Sequence, residues 1–389
     1  MRGTWKYTFD NVSKMAVTSL MLVLSLALYS CGGEDTSKEK AKQGGPEVRT
    51  YYIAADPVDW DYAPDGVNDI SGRPFDHEED IFVRQGEHRI GKTYRKALYR
   101  EYTSVSFSEP KERPQDQKYL GTLGPVIRAE VGDTIKVVFR NNVDFPTSMH
   151  PHGVFYEKSS EGAPYQDGTS GEENNGDDVV EPGEERTYTW RVPERAGPGP
   201  EDPSSIAWMY HSHVEESDDT NTGLMGPIIV TSKGMAEDDG SPKDVDREFV
   251  TLFTIYDENN SRYLDYNIEH FARDPKGVDS EDEGFIESNL MHSVNGYVFG
   301  NMPMMKMIEG EKVRWYVMGM GTEVDLHTPH WHGNTVTVMG MRTDVVEVSP
   351  ATMVVADMVP DDPGVWLYHC HVNDHIDAGM LARYSVESK

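Results

Sequence analysis

Four His-x-His triplets stand in the chain: His150/His152, His211/His213, His330/His332 and His369/His371. Random placement of the 14 histidines would give about half a triplet. On a β-strand, residues i and i+2 leave one face about 6.5 Å apart, so each triplet offers two imidazoles to one side. Imidazole suits copper. Eight converging nitrogens exceed the needs of one zinc and suffice for a three-metal cluster. A second ligand set follows in HCHVNDHIDAGM, where Cys370 lies between His369 and His371 and is followed by His375 and Met380. On a strand, Cys370 faces away from its two neighbours. A trigonal His₂Cys site with a weak axial Met is the blue-copper electron-transfer arrangement. The spacing assigns it Cys370, His375, Met380 and, as second imidazole, His327 from LHTPHWHG. Cys370 then binds one copper behind the strand, and its two neighbours serve the cluster in front.

These ligands need strands to present them, and the chain repeats a strand-rich plan twice. The first half runs through GPVIRAEVGDTIKVVFRNN, HPHG, EPGEERTYTWRVP, WMYHSH and GLMGPIIV. The second runs through MKMIEGEKVRWYVMG, HWHGN, SPATMVVADMVPDDPG, VWLYHCH and GMLARYSV. Short β-rich runs between Gly, Pro, Asn and Asp turns predict an all-β sandwich or barrel in each half. We expect one domain over residues 48–235 and another over 246–389, joined by a polar linker within 231–247. The first half is the longer, with insertions over 159–178 and 194–203 that read as surface loops. It lacks the second ligand set, because Ser212 stands where Cys370 does, Thr147 replaces His327, and the segment VEESDDTNTGLMG after His213 offers no counterpart of His375. Domain 1 is therefore expected to supply cluster ligands and no blue copper, with Met225 a core residue.

Charge and cysteine usage narrow the class further. The formal charge is -31 over 389 residues, which repels nucleic acid and anionic lipid. The acidity reads either as an ordinary solvated surface or as a field that gathers cations. At the N-terminus, Arg2, Lys6 and Lys14 precede an apolar run over 15–28 that is short for a membrane span. The run ends in LYSCG, which resembles a bacterial lipobox. Residues 1–30 are thus expected to be a lipoprotein-type signal peptide, Cys31 the acylated first residue, and 31–47 a flexible tether. The expected location is the bacterial cell envelope, with membrane attachment only through the lipid on Cys31. Cys31 and Cys370 are the only cysteines. In an oxidising compartment Cys370 is then unpaired, as an inert buried thiol or a metal ligand.

All four triplets resemble those of multicopper oxidases, and the text between them is similar to ceruloplasmin and hephaestin. The segments are LGPVIRAEVGDTI, HPHG with EGAPYQDGTS, ESNLMHSVNGYVFGN, MGMGTEVDLHTPHWHGN and PGVWLYHCHVNDHIDAGM. The resemblance covers essentially the chain from residue 50 onward. It implies two cupredoxin-like Greek-key β-sandwich domains and four coppers, with electrons passing from the Cys370 (type 1) copper to a cluster that reduces dioxygen to water. It assigns His150 and His330 to the type 2 copper, and His152, His211, His213, His332, His369 and His371 to the type 3 pair. Asp374, Glu287 and His292 match a ferroxidase site, which implies Fe(II), then Cu(I), as donor. Locally, Asp374 also reads as a helix cap and Glu287 with His292 as an ion pair. The Met-rich segment 301–307 reads as a soft Cu(I) site or as core. The rivals are a phenol oxidase, a copper nitrite reductase, which needs only one three-His copper beside the blue site, and a non-enzymatic copper store. Six such domains form the ring of ceruloplasmin, so the resemblance also implies a homotrimer of this two-domain chain.

Overall fold

The computed structural model describes residues 45–166 and 178–389. The signal peptide expected over 1–30, the Cys31 expected to carry the lipid, most of the expected tether and part of the acidic insertion lie outside the described residues. Among those described, no helix is long and apolar enough to cross a membrane. The described residues belong to one compact unit.

The first half supplies β1 (Val48–Asp61), β2 (Thr93–Tyr102), β3 (Ile127–Glu130), β4 (Thr134–Asn141), β5 (His150–Pro151), β6 (Phe155–Tyr156), β7 (Glu185–Arg191), β8 (Ser205–His211) and β9 (Met225–Thr231). The second supplies β10 (Arg247–Asp257), β11 (Leu290–Val294), β12 (Met305–Ile308), β13 (Val313–Gly319), β14 (Pro329–Trp331), β15 (Val336–Val338), β16 (Met341–Thr343), β17 (Thr352–Met358), β18 (Gly364–Cys370) and β19 (Leu381–Glu387). Each half builds two sheets and shares no strand with the other. Their orders are β2-β1-β4-β7-β6 and β3-β9-β8-β5, then β11-β10-β13-β17-β15-β16 and β12-β19-β18-β14. The duplication extends to pairing. β1 on β4 and β10 on β13 are parallel, as are β3 on β9 and β12 on β19. Parallel neighbours inside otherwise antiparallel sheets require long crossing connections rather than hairpins, which is the Greek-key pattern. The expected all-β fold of paired sandwiches is what the chain adopts.

Alternation explains the packing of each sandwich. In β4 the residues Ile135, Val137 and Phe139 are fully buried while their neighbours point outward, as period two requires. β9 and β13 are instead buried along their whole length. At the junction of the halves, the Arg314 guanidinium is 2% exposed; it bonds Asp357 at 2.7 Å and the hydroxyls of Ser204 and Ser205 at 2.7 Å. A second tie joins buried Lys96 of β2 to Glu258, which also accepts a bond from the Tyr62 hydroxyl at 2.5 Å. Both ties satisfy charges that would be costly to bury alone.

The same small detail shapes the turn after each first triplet. Gly153 and Gly333 both sit at φ +73°. A Cβ on Gly153 would meet the Trp208 ring at 2.1 Å, and one on Gly333 the Trp366 ring at 2.4 Å. Backbone strain and overlap with a ring act together there. Gly153→Ala and Gly333→Ala should each destabilise the metal-free protein by about 2 kcal/mol, read as a lower denaturant midpoint. An unchanged midpoint would contradict this account of the turn.

Candidate metal centre

β14 and β18 pair antiparallel, with Pro329 opposite Cys370 and His330 opposite His369. This register sets the ligand candidates of one strand beside those of the other. Behind the strand, His327, Cys370 and His375 are all buried and form one compact group. The Cys370 Sγ lies 3.4 Å from His375 Nδ1 and 4.0 Å from His327 Nδ1, and the two Nδ1 atoms are 3.2 Å apart. His375 arrives on the helix Asn373–Asp377, which follows β18. Met380 is fully buried; its N–H donates to the His375 carbonyl at 2.8 Å and its carbonyl accepts from the Cys370 N–H at 3.2 Å. Those two bonds fold the chain back on Cys370. Burial would push the thiol up, but bonds from His327, His375 and the Thr328 and Val372 amides bring it down to about 6. A readily formed thiolate between two imidazoles is a donor set for a soft-to-borderline metal such as copper.

One residue here escaped sequence reasoning. Asp325, 1% exposed, accepts from His327 Nε2 at 3.1 Å and from the Ile255 N–H at 2.7 Å through Oδ1. Its Oδ2 accepts the Thr322 N–H at 2.8 Å. Burial depresses His327, but the bonds to Asp325 and Cys370 outweigh burial and raise it. A lone Asp in TEVDLH carries no spacing motif; the available signal was its i, i−2 relation to His327 on one face.

In front of the strand, the histidine triplets gather into two matching quartets. In the first half, His152 Nε2 and His211 Nε2 are 3.0 Å apart, and the His150 ring lies 5.7 Å from His211 and 5.1 Å from His213. In the second, His332 Nε2 and His369 Nε2 are 3.0 Å apart, and His330 lies 5.5 Å from both His369 and His371. Backbone carbonyls fix the ring orientation. His150, His211, His330 and His369 donate through Nδ1 to the carbonyls of Glu161, Ser212, Asp344 and Cys370, respectively. That leaves each Nε2 as a lone-pair donor facing its quartet, whereas His327 has the opposite arrangement and presents Nδ1. Burial, reinforced by neighbouring imidazoles, lowers His152 and His369 to about 4 and His211 to about 3. Neutral imidazole is the form that binds metal. Among the described residues, no ring contact joins one quartet to the other.

At the first-half counterpart of the Cys370 site, the Ser212 hydroxyl donates to Asp219 at 2.6 Å, and Arg262 reaches in to the same carboxylate at 2.9 Å. Thr147 is buried there, its Oγ1 without a hydrogen bond. A guanidinium in that pocket opposes cation binding.

The three substrate-site candidates are placed unequally. His292 is buried, with its ring 5.4 Å from that of His375 and 5.9 Å from Phe82. Its Nδ1 donates to the Leu290 carbonyl at 3.0 Å, and burial followed by His375 lowers it to about 4. Asp374 and Glu287 are exposed, on the helices Asn373–Asp377 and Glu283–Ser288. The cap position of the first helix is Val372, so Asp374 is not its cap. Among the described residues no ion pair joins Glu287 to His292, and the three form no compact ligand group. Met302, Met305 and Met307 are core residues, so the core reading of the Met-rich segment holds for them.

Residues 118–234 and 273–389 match two family models, each described as multicopper oxidase. The chain is 46% identical to ferroxidase HEPHL1 of Homo sapiens, over 88% of this chain and 30% of that protein. It is 45% identical to hephaestin of Homo sapiens over 88% and 29%, and 44% identical to ceruloplasmin of Rattus norvegicus over 87% and 32%. The chain thus spans about 30% of the length of these curated relatives. A crystal structure of a multicopper oxidase aligns with TM-score 0.55 at 18% identity, covering 87% of this chain and 89% of that one. The blue copper oxidase from Nitrosomonas europaea aligns with TM-score 0.53 at 17% identity, over 88% and 86%.

Proposed function

Because the chain belongs to the multicopper oxidase family, we propose that it couples one-electron oxidation of a donor, Fe(II) ahead of Cu(I) and both ahead of phenols, to reduction of dioxygen to water. His327, Cys370, His375 and Met380 would hold the type 1 copper, His150 and His330 the type 2 copper, and the other six quartet histidines the type 3 pair. Four coppers bound there supply one-electron transfer from the donor and the four-electron chemistry of dioxygen. The observation that carries the reading is the back-to-back geometry of β18, with a buried thiol donor set behind and the imidazoles of buried His369 and exposed His371 in front. The chain joins the two by the backbone from Cys370 to His369 and His371, and by the 2.6 Å bond from His369 Nδ1 to the Cys370 carbonyl. Eight imidazoles oppose a nitrite reductase, which needs one three-His copper beside the blue site. The leader and Cys31 support a lipid-anchored place in the bacterial envelope.

Oligomeric state belongs to the same proposal. Each quartet is half of an eight-imidazole set, and a head-to-tail ring would bring the first quartet of one chain to the second quartet of the next. Three copies correspond to the length of the relatives. Beside His330, the β15–β16 hairpin exposes Met339 (85%) and Met341 (69%), and an apolar tip of this kind favours burial against a partner copy.

Asp374 precedes His375, and buried His292 packs on that same ring, so a cation held by the Asp374 carboxylate would lie close to the electron acceptor. Asp374→Ala and Glu287→Ala should raise KM or lower kcat for Fe(II) while leaving the blue spectrum and phenol turnover nearly unchanged. Steady-state kinetics with Fe(II), Cu(I) and a phenol under one set of conditions provide the check. Parent-like Fe(II) oxidation by both variants would sink the metal-ion reading and leave the broader oxidase.

A further inference from the structure

We propose that Asp325 is a positioning residue that holds the type 1 centre at a lowered reduction potential, favouring a readily oxidised metal-ion donor over phenols. The inference rests on the reading of His327, Cys370 and His375 as that centre. Its starting point is an inversion of the usual burial order. Over the segment before His327, Val324 is 62% exposed and Leu326 59%, while Asp325 between them is 1% exposed. A chain that turns two apolar side chains to water and a carboxylate inward works against hydrophobic burial. Such local conflicts mark functional positions.

Three donors hold the carboxylate, His327 Nε2 and the Thr322 amide from its own loop and the Ile255 amide from β10. The turn is shaped around it. Gly321 has φ +124°, and a Cβ there would meet the Asp325 carboxyl carbon at 2.1 Å. Two consequences follow for His327. The bond at Nε2 fixes which nitrogen points at Cys370 and makes the ring a stronger electron donor. The carboxylate charge, one imidazole's width from the metal position and shielded from water, favours the more positive, oxidised metal over the reduced one. Among the described residues no carboxylate bonds the His375 ring, which packs against His292. Asp325 is thus the carboxylate acting on one of the two imidazoles from inside the protein. Ile255 also pairs with His292 across β10 and β11, so the same backbone position anchors both this carboxylate and the strand that carries His292.

The test is redox titration of the type 1 absorption in the copper-loaded full chain, comparing the parent with Asp325→Asn and Gly321→Ala. Asn keeps an oxygen acceptor and removes the charge; Ala at 321 displaces the carboxylate and leaves it in the sequence. Expected is a retained blue band with a higher potential, shifting the equilibrium with a one-electron mediator at least tenfold, or about 59 mV. The Fe(II)-to-phenol ratio of kcat/KM should fall in both. An unchanged or lowered potential in both variants overturns the proposal. So does loss of the blue band with native circular dichroism, which would make Asp325 a scaffold for the loop alone. If the parent itself has no blue band, the type 1 assignment has failed.

Discussion

Cys370→Ser is expected to remove the intense blue absorption of the copper-loaded protein, to take the metal content from the proposed four coppers per chain to three, and to reduce oxygen consumption with any donor to background. The expectation follows from the surroundings of the thiol. Cys370 is fully buried and, among the described residues, has no disulfide partner. Its sulfur is the thiolate donor in a pocket otherwise made of His327, His375 and Met380, so a hydroxyl in its place removes the charge-transfer ligand and most of the affinity. The quartet histidines should keep their metals. Their rings are oriented by the carbonyls of Glu161, Ser212, Asp344 and Cys370, which are main-chain groups that the substitution leaves in place. Absorption spectroscopy, metal analysis and an oxygen electrode read the three effects. A blue Cys370→Ser protein, or a parent that holds about one copper per chain, would refute the assignment.

The candidate metal centre was readable in the sequence because its rules are local. Strand period two puts His369 and His371 on one side and Cys370 on the other, and the repeat of HxH in both halves announced the duplicated sheets. What resisted reading depends on distant or main-chain partners. The four carbonyls that orient the quartet rings leave no trace in residue types. Asp325 reaches His327 only because β10 offers the Ile255 amide, a residue far away in sequence. The same holds for Arg314 with Ser205 and for Lys96 with Glu258, where long-range packing decides which charge is buried. Asp374 and Glu287 were legible through resemblance alone. Nothing in their spacing marked them, and both side chains stand exposed on short helices that the strand patterns did not foretell.

The two quartets lead to the second large effect, a rescue between inactive chains. His152 and His332 occupy equivalent places, each with its Nε2 3.0 Å from a partner imidazole in its own half. His152→Ala and His332→Ala homo-oligomers should each keep the blue band and lose dioxygen reduction, since every cluster then lacks one ligand. Where clusters form between chains, co-expression of the two variants changes the outcome. An intact second quartet on a His152→Ala chain can meet an intact first quartet on a His332→Ala chain. Random mixing makes about one interface in four complete in a closed head-to-tail ring. Oxygen consumption should therefore recover to about a quarter of the parent rate per blue centre, and light scattering of the mixed sample should give the mass of three chains. If each cluster instead forms within one chain, no mixture contains a complete set, and the co-expressed sample stays as inactive as either variant. A monomeric parent that reduces dioxygen would refute the shared cluster by itself. Recovery would also make the exposed Met339–Met341 hairpin beside His330 a place to look for the contact that closes the ring, by measuring whether charged replacements there return the protein to single chains with the blue band intact.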